Sequence, residues 1–321
     1  MTRLRDRRRA WLAWAAVCVI WGTTYFAIRI ALDTIPPFLI GGLRYSFAGP
    51  VLAAALVARG EPLPPRTSWP GFALLGLLMF GVGNGGVVWA ELWVPSGLAA
   101  VVIATTPFWM VGIEAFTPGG ERLTWRHAAG LGLGFTGIVL LVGPGIVGGS
   151  GDWRRLAGIL ALQVACAGWA AGSAYGKRHA ARVSPWMSAA MQMCWGGAIM
   201  LAAGTLSREW AALHFSLPSA MALAYLALAG SLAAFAAYVY ALTHLPVTIV
   251  SLYAYVNPII AVVLGTVLLG EPFDTRMVLA IGIILSGLAV VSMARARQPG
   301  GPPRVASTSV RPDEEPPAAV T

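Results

Sequence analysis

Charge is scarce in this sequence: acidic and basic side chains together make up 11% of 321 residues, against 57% hydrophobic ones. So little polar material cannot coat a water-soluble globule, and the mean hydropathy of +0.72 fits a chain whose solvent is lipid. Cysteine is equally sparse. Cys18, Cys166 and Cys194 are odd in number and each lies inside an apolar run, which argues against a disulfide framework or a metal-ligand spacing and leaves buried, idle thiols. No GxxxxGK[ST] phosphate loop occurs, so the chain carries no ATP-driven motor of that kind. His127, His179, His214 and His244 fall at loops or segment ends without an acid–base or metal constellation. No catalytic residue, metal or cofactor is therefore expected, and a membrane-embedded enzyme is a secondary reading. A channel is another, although no repeated selectivity-filter sequence or ring-forming charge pattern is present.

What the chain does have is a recurring apolar segment. A membrane-crossing helix needs about 20 mainly apolar residues, and ten candidates meet that length: 11–31, 36–58, 69–90, 96–117, 127–144, 156–176, 184–205, 217–240, 247–269 and 276–294. The longest uncharged run, Phe215 to Thr243, is too short for two crossings and a turn, so it reads as one long or tilted helix. The Arg-rich start followed by WLAWAAVCVIWG lacks a small-residue cleavage site and reads as a retained first helix. Eight of the thirteen Trp fall near predicted segment ends, where their rings suit the headgroup region.

The net charge of +9 is distributed between these segments rather than over one basic face, so no nucleic-acid partner is expected. With ten crossings, sixteen of the 22 Lys and Arg fall on the side of the amino terminus and four on the other, while Arg29 and Arg44 lie within segments. Positive residues accumulate on the cytoplasmic side, which places both termini there.

The chain also repeats itself. A shift of 148 residues places Trp21 on Trp169, Arg29 on Lys177, Pro37 on Pro185, Arg44 on Gln192 and Pro70 on Pro218. Further on, the offset drifts to 150 and aligns Pro107 with Pro258, Glu121 with Glu271, Gly132 with Gly282 and Gly137 with Gly287. Each half then holds five crossings, and an odd number means the second half enters the membrane inverted. The expected fold is all-α and polytopic, with ten transmembrane helices as two inverted five-helix repeats. A basic amino terminus (1–10) precedes the first repeat (11–145), a linker (146–155) and the second repeat (156–294). A proline-rich disordered tail (295–321) ends the chain.

The segments WGTTYFAIR at 21–29, PPFLIGGLR at 36–44, SGLAAVVIATTPFW and GERLTWRHAAGLGLGFTGIVLL resemble the EamA-type pattern of the drug/metabolite transporters. VTIVSLYAYVNPIIAVVLGTVLLGEPF and AIGIILSGLAVV are similar to the closing helices of that family, so the resemblance covers 11–294. It implies a permease of a bacterial inner membrane, exporting a small organic metabolite, an amino acid or an amphipathic compound by alternating access. It also implies a central cavity between the first four helices of each half, with the fifth and tenth helices peripheral. The small multidrug branch uses an acidic residue in its first helix; this chain offers Thr23, Thr24 and Tyr25 there.

The candidate substrate path follows from polar groups at membrane depth. Pro107 and Pro258 are expected to interrupt matching segments, flanked by Thr106 and Asn257, which could satisfy the carbonyls that proline frees. Arg44 lies about 10 Å into its segment, where a charge either meets an anionic substrate or serves structure by snorkelling or pairing with Glu91. Glu91, expected close to water, is also a candidate for a coupling proton. Trp21, Tyr25, Asn84, Trp89, Phe108, Gln163, Trp169 and Tyr255, with Thr24, complete the candidates for an amphipathic cavity. Glu121 and Glu271 are expected to cap the helices that follow them. Gly130, Gly132, Gly134, Gly137, Gly282 and Gly287 permit close helix approach, within the chain or in a homodimer. The expected partners are a small-molecule substrate, the lipid bilayer and a coupling proton.

Overall fold

Proline marks where helices begin, because its ring presets the helical φ and its missing N–H is not needed in the first turn. Pro37, Pro70, Pro185 and Pro218 each stand in the opening turn of a helical segment, and they are two of the repeat-related pairs. The computed structural model describes residues 2–117, 124–147, 153–179, 183–245, 247–250 and 252–296. Among them, joined segments form ten long helices, besides short turns at Glu209–Ala211 and Val247–Val250: α1 (Thr2–Ala31), α2 (Pro37–Val57), α3 (Arg66–Ala90), α4 (Ser96–Phe116), α5 (Trp125–Val147), α6 (Trp153–Arg178), α7 (Pro185–Leu206), α8 (Leu217–His244), α9 (Tyr253–Leu269) and α10 (Thr275–Ala296). No strand occurs among the described residues. Seven of these helices are long and apolar enough to cross a membrane, and α9 and most of α10 are shorter apolar helices. The protein is a multi-pass membrane protein built from two inverted five-helix repeats. Glu121, residues 148–152 of the linker and the tail from 297 onward lie outside the described residues.

The two second helices form the central pair. Gly41, Gly42 and Gly49 of α2 face Met200, Leu201 and Cys194 of α7, close enough that an added Cβ would collide. α1 packs on α8 and α9, and α6 packs on α3 and α4, so the first helix of each half lies against the third and fourth helices of the other half. α5 and α10 pair at the periphery. A Cβ on Gly130 would meet the Gly287 carbonyl at 2.8 Å, and one on Gly287 the Gly130 carbonyl at 2.6 Å. The Phe108 ring fills the space beside Gly134. Gly130, Gly134, Gly137 and Gly287 serve close approach within the chain, whereas a Cβ on Gly132 or Gly282 would meet no described residue within 4 Å.

Candidate functional site

The middle of α3 and the middle of α8 leave the α-helical register. Gly76–Asn84 and Leu226–Ala233 wind as π-helix, a form whose hydrogen bonds reach five residues back and which concentrates at functional sites. In each stretch one polar side chain copies that reach. Asn84 Nδ2 donates to the Met79 carbonyl at 3.2 Å, and Ser231 Oγ donates to the Leu226 carbonyl at 3.1 Å. The glycine before each polar residue receives a tryptophan from the opposite half. Trp21 Nε1 donates to the Gly230 carbonyl at 3.2 Å, and the Trp169 ring lies 3.3 Å from where a Gly83 Cβ would stand. Trp21 and Trp169 are the repeat-related pair.

These elements enclose a cavity of about 460 Å³ whose lining comes from α1–α4 and α6–α9 and not from α5 or α10. Of the residues singled out in the sequence, Trp21, Thr24, Tyr25, Arg44, Asn84, Thr106, Pro107, Trp169, Asn257 and Pro258 reach it. Four others lie elsewhere. Trp89 packs edge-on against Trp93 at 4.5 Å between centroids. Phe108 is 1% exposed and belongs, with Tyr255 beside it, to the apolar contact among α4, α9 and α10. Gln163 binds α4 instead, accepting from Trp109 Nε1 at 2.8 Å and donating to Thr105 Oγ1 at 3.3 Å. Composition could place these side chains at membrane depth but not on a particular face of their helices.

Arg44 neither snorkels nor pairs with Glu91. It is 6% exposed, its Nε donates to Ser231 Oγ at 2.7 Å, and its guanidinium lies 4.8 Å from the centre of the Tyr45 ring. Among the described residues, no carboxylate approaches it within 4.0 Å. Gln192, its repeat counterpart, also lines the cavity, with its amide nitrogen donating to Ser188 Oγ at 2.9 Å.

The proline pair differs between halves. α4 breaks at Ala104 and Thr105, and a new helical segment starts at Thr106. Thr106 Oγ1 donates to the Ile103 carbonyl at 2.7 Å, which is the carbonyl four residues before Pro107, as the sequence suggested. α9 runs from Tyr253 through Pro258 without an interruption at the proline, contrary to expectation. The Asn257 amide, oriented to satisfy its donors, bonds the Cys18 and Tyr253 carbonyls, each at 3.1 Å, and so ties α9 to α1.

Several lining residues went unremarked in the sequence, among them Tyr45, Tyr253 and Ser231. Tyr253 forms an aromatic wall with Trp21 and Tyr238, with centroids 5.0–5.9 Å apart. Ser231 lies in a long apolar run and gains its position from the π turn, for which a single sequence gives no signal.

The face of the molecule where α1 ends and α2 begins is closed. Ile35, Leu39 and Val94 are buried there, and the two halves are tied across it. Glu209, between α7 and α8, accepts from the Leu39 N–H at 3.0 Å. Thr34 Oγ1 donates to Ser219 Oγ at 2.5 Å. Glu271 does not cap the helix that follows it. Its carboxylate accepts from the Ser96 and Gly97 N–H groups at 2.7 and 2.9 Å, at the start of α4, while Asp274 caps α10. Glu91 is here too, and it is not close to water: it is fully buried, and its two carboxylate oxygens have no hydrogen-bond partner among the described residues. Burial pushes its carboxyl well above the usual range, nearby Glu271 raises it further, and Arg29 opposes both. On the opposite face, Glu114 pairs with Lys177 at 3.2 Å and Arg178 at 3.3 Å, and Ser184 Oγ donates to Glu61 at 2.5 Å.

A model of the EamA-like transporter family matches residues 9–143 and again 156–293. The chain belongs to this family. Within it, this EamA-like protein is 37% identical to the inner membrane transporter YedA of Escherichia coli (strain K12), over 89% of this chain and 92% of that one. It is 23% identical to a protein of Salmonella typhimurium described as a probable amino-acid metabolite efflux pump, covering 85% of this chain and 91% of the other. A solved crystal structure shares the fold with a TM-score of 0.64 at 25% identity, covering 90% of this chain and 99% of that one.

Proposed function

We propose that this protein is a secondary transporter that moves a small organic metabolite outward across a bacterial inner membrane by alternating access, and is not an enzyme. The observation that carries the reading is a cavity lined by both inverted halves, with the repeat-related Trp21 and Trp169 each seated on the other half's π stretch. Inverted repeats support two exchangeable arrangements around one central site. The bias of basic residues supports a cytoplasmic amino terminus, and with it a closed face turned towards the periplasm. The state described is then closed outward. The lining residues that the sequence singled out form the substrate path.

Glu91 is the coupling group on this reading. A buried carboxyl without hydrogen bonds is far more stable neutral than charged, so opening of the outer face, which would admit water, would also change its proton affinity. Proteoliposomes containing the protein should show saturable uptake with counterflow for a metabolite that accumulates in cells lacking the gene. Flux that rises linearly with concentration and shows no counterflow would reject the carrier mechanism.

A further inference from the structure

Arg44 is the only charged residue among those lining the cavity. Its charge is buried and no carboxylate answers it within 4.0 Å among the described residues. An unpaired cation in a low-dielectric space is costly unless an anion joins it.

The remaining donors sharpen the point. Thr24, Asn84, Thr106, Ser173 and Ser231 all turn their side-chain donors back onto backbone carbonyls. The terminal nitrogens of Arg44 donate to no described residue, since its one hydrogen bond leaves from Nε. That fixed Nε contact holds the planar group and leaves two amino groups free for a carboxylate. Tyr45 lies beside it, and the hydroxyls of the lining residues Tyr25 and Tyr45 carry no hydrogen bond to a described residue and can add neutral donors.

No acidic side chain lines the cavity to receive an ammonium group. Trp21, Tyr238 and Tyr253 touch each other at 5.0–5.9 Å between centroids and present a continuous apolar wall.

We infer that the cavity selects an amphipathic organic monoanion, with its carboxylate held by Arg44 and its apolar body against the aromatic wall. This rests on the transport reading and narrows its substrate class away from cationic and zwitterionic compounds.

The test is binding to the purified full chain in nanodiscs, followed by quenching of tryptophan fluorescence, with probes that share one body: 3-phenylpropanoate, 3-phenylpropanamide, phenylalanine and 3-phenylpropylammonium. The carboxylate should bind about tenfold or more tighter than each of the others. Arg44→Gln should lower its affinity to that of the amide, which itself should not change, while Arg44→Lys should keep part of the preference. Thermal unfolding of each variant establishes that it is folded. Absent binding of the carboxylate, equal or tighter binding of the ammonium probe, or a preference that survives in Arg44→Gln, each overturns the inference. Because binding needs no flux, selective binding without counterflow in proteoliposomes would defeat the transport reading alone. Counterflow without charge selectivity would defeat this inference alone.

Discussion

Arg44 Nε and Ser231 Oγ lie 2.7 Å apart, joining the second helix of the first half to the π stretch of the third helix in the second half. The serine in turn donates to the Leu226 carbonyl, so the guanidinium is held by an anchored acceptor and not by a free rotor. Gly230 beside it leaves little space: a Cβ there would lie 3.1 Å from a terminal nitrogen of Arg44, so the guanidinium would have to shift by a few tenths of an ångström. Placement of the one cavity charge is thus shared between the two repeats, and motion of one half against the other must carry it.

Asn257 joins α9 to α1 through the Cys18 carbonyl. Replacing it with Ala removes both bonds of a side chain that is 8% exposed, and hydrogen bonds of this kind are worth about 1 kcal/mol each. The Asn257→Ala variant should insert normally and transport several-fold more slowly; transport kinetics equal to the native protein would reject its role.

Much of this architecture was legible beforehand because it rests on simple physics. Segment length against bilayer thickness gave the ten helices, and the repeat offsets paired Trp21 with Trp169 and Arg44 with Gln192, all four of which reach the cavity. The site was less legible where it depends on which way a helix turns. Trp89 and Tyr253 each carry an aromatic ring with a polar edge inside a predicted segment, yet one packs edge-on against Trp93 and the other lines the cavity. Glu91 follows the last residue of α3 and reads as a wet loop position, but it is fully buried, with Glu271 and Arg29 near enough to act on its charge.

Glu271 should contribute to stability through the start of α4. Its two short bonds to the Ser96 and Gly97 N–H groups place a negative charge at a helix amino terminus. Glu271→Gln keeps the shape and removes the charge, and should cost about 2 kcal/mol, lowering the midpoint of thermal unfolding by several degrees. An unchanged midpoint would show that the contact is energetically idle.

For Glu91 the sign of the pH effect follows from its raised carboxyl. The folded state holds the proton more tightly than the unfolded chain, so its contribution favours folding at low pH. That contribution is lost progressively as pH rises from the ordinary carboxyl range towards the raised folded value. Glu91→Gln mimics the neutral form. It should raise the unfolding midpoint at about pH 8 and leave it nearly unchanged at about pH 4, near and below the ordinary carboxyl value. Uptake by the variant should no longer respond to an imposed pH gradient. A destabilised variant at the higher pH, or undiminished gradient response, would contradict the assignment.

The most direct test of alternating access locks the closed face. Thr34 and Ser219 belong to opposite halves and their hydroxyls are 2.5 Å apart, close enough for a Thr34→Cys, Ser219→Cys pair to be bridged. In proteoliposomes the oxidised pair should stop counterflow and reductant should restore it, while each single variant transports in both conditions. Undiminished counterflow through fully cross-linked protein would contradict the account.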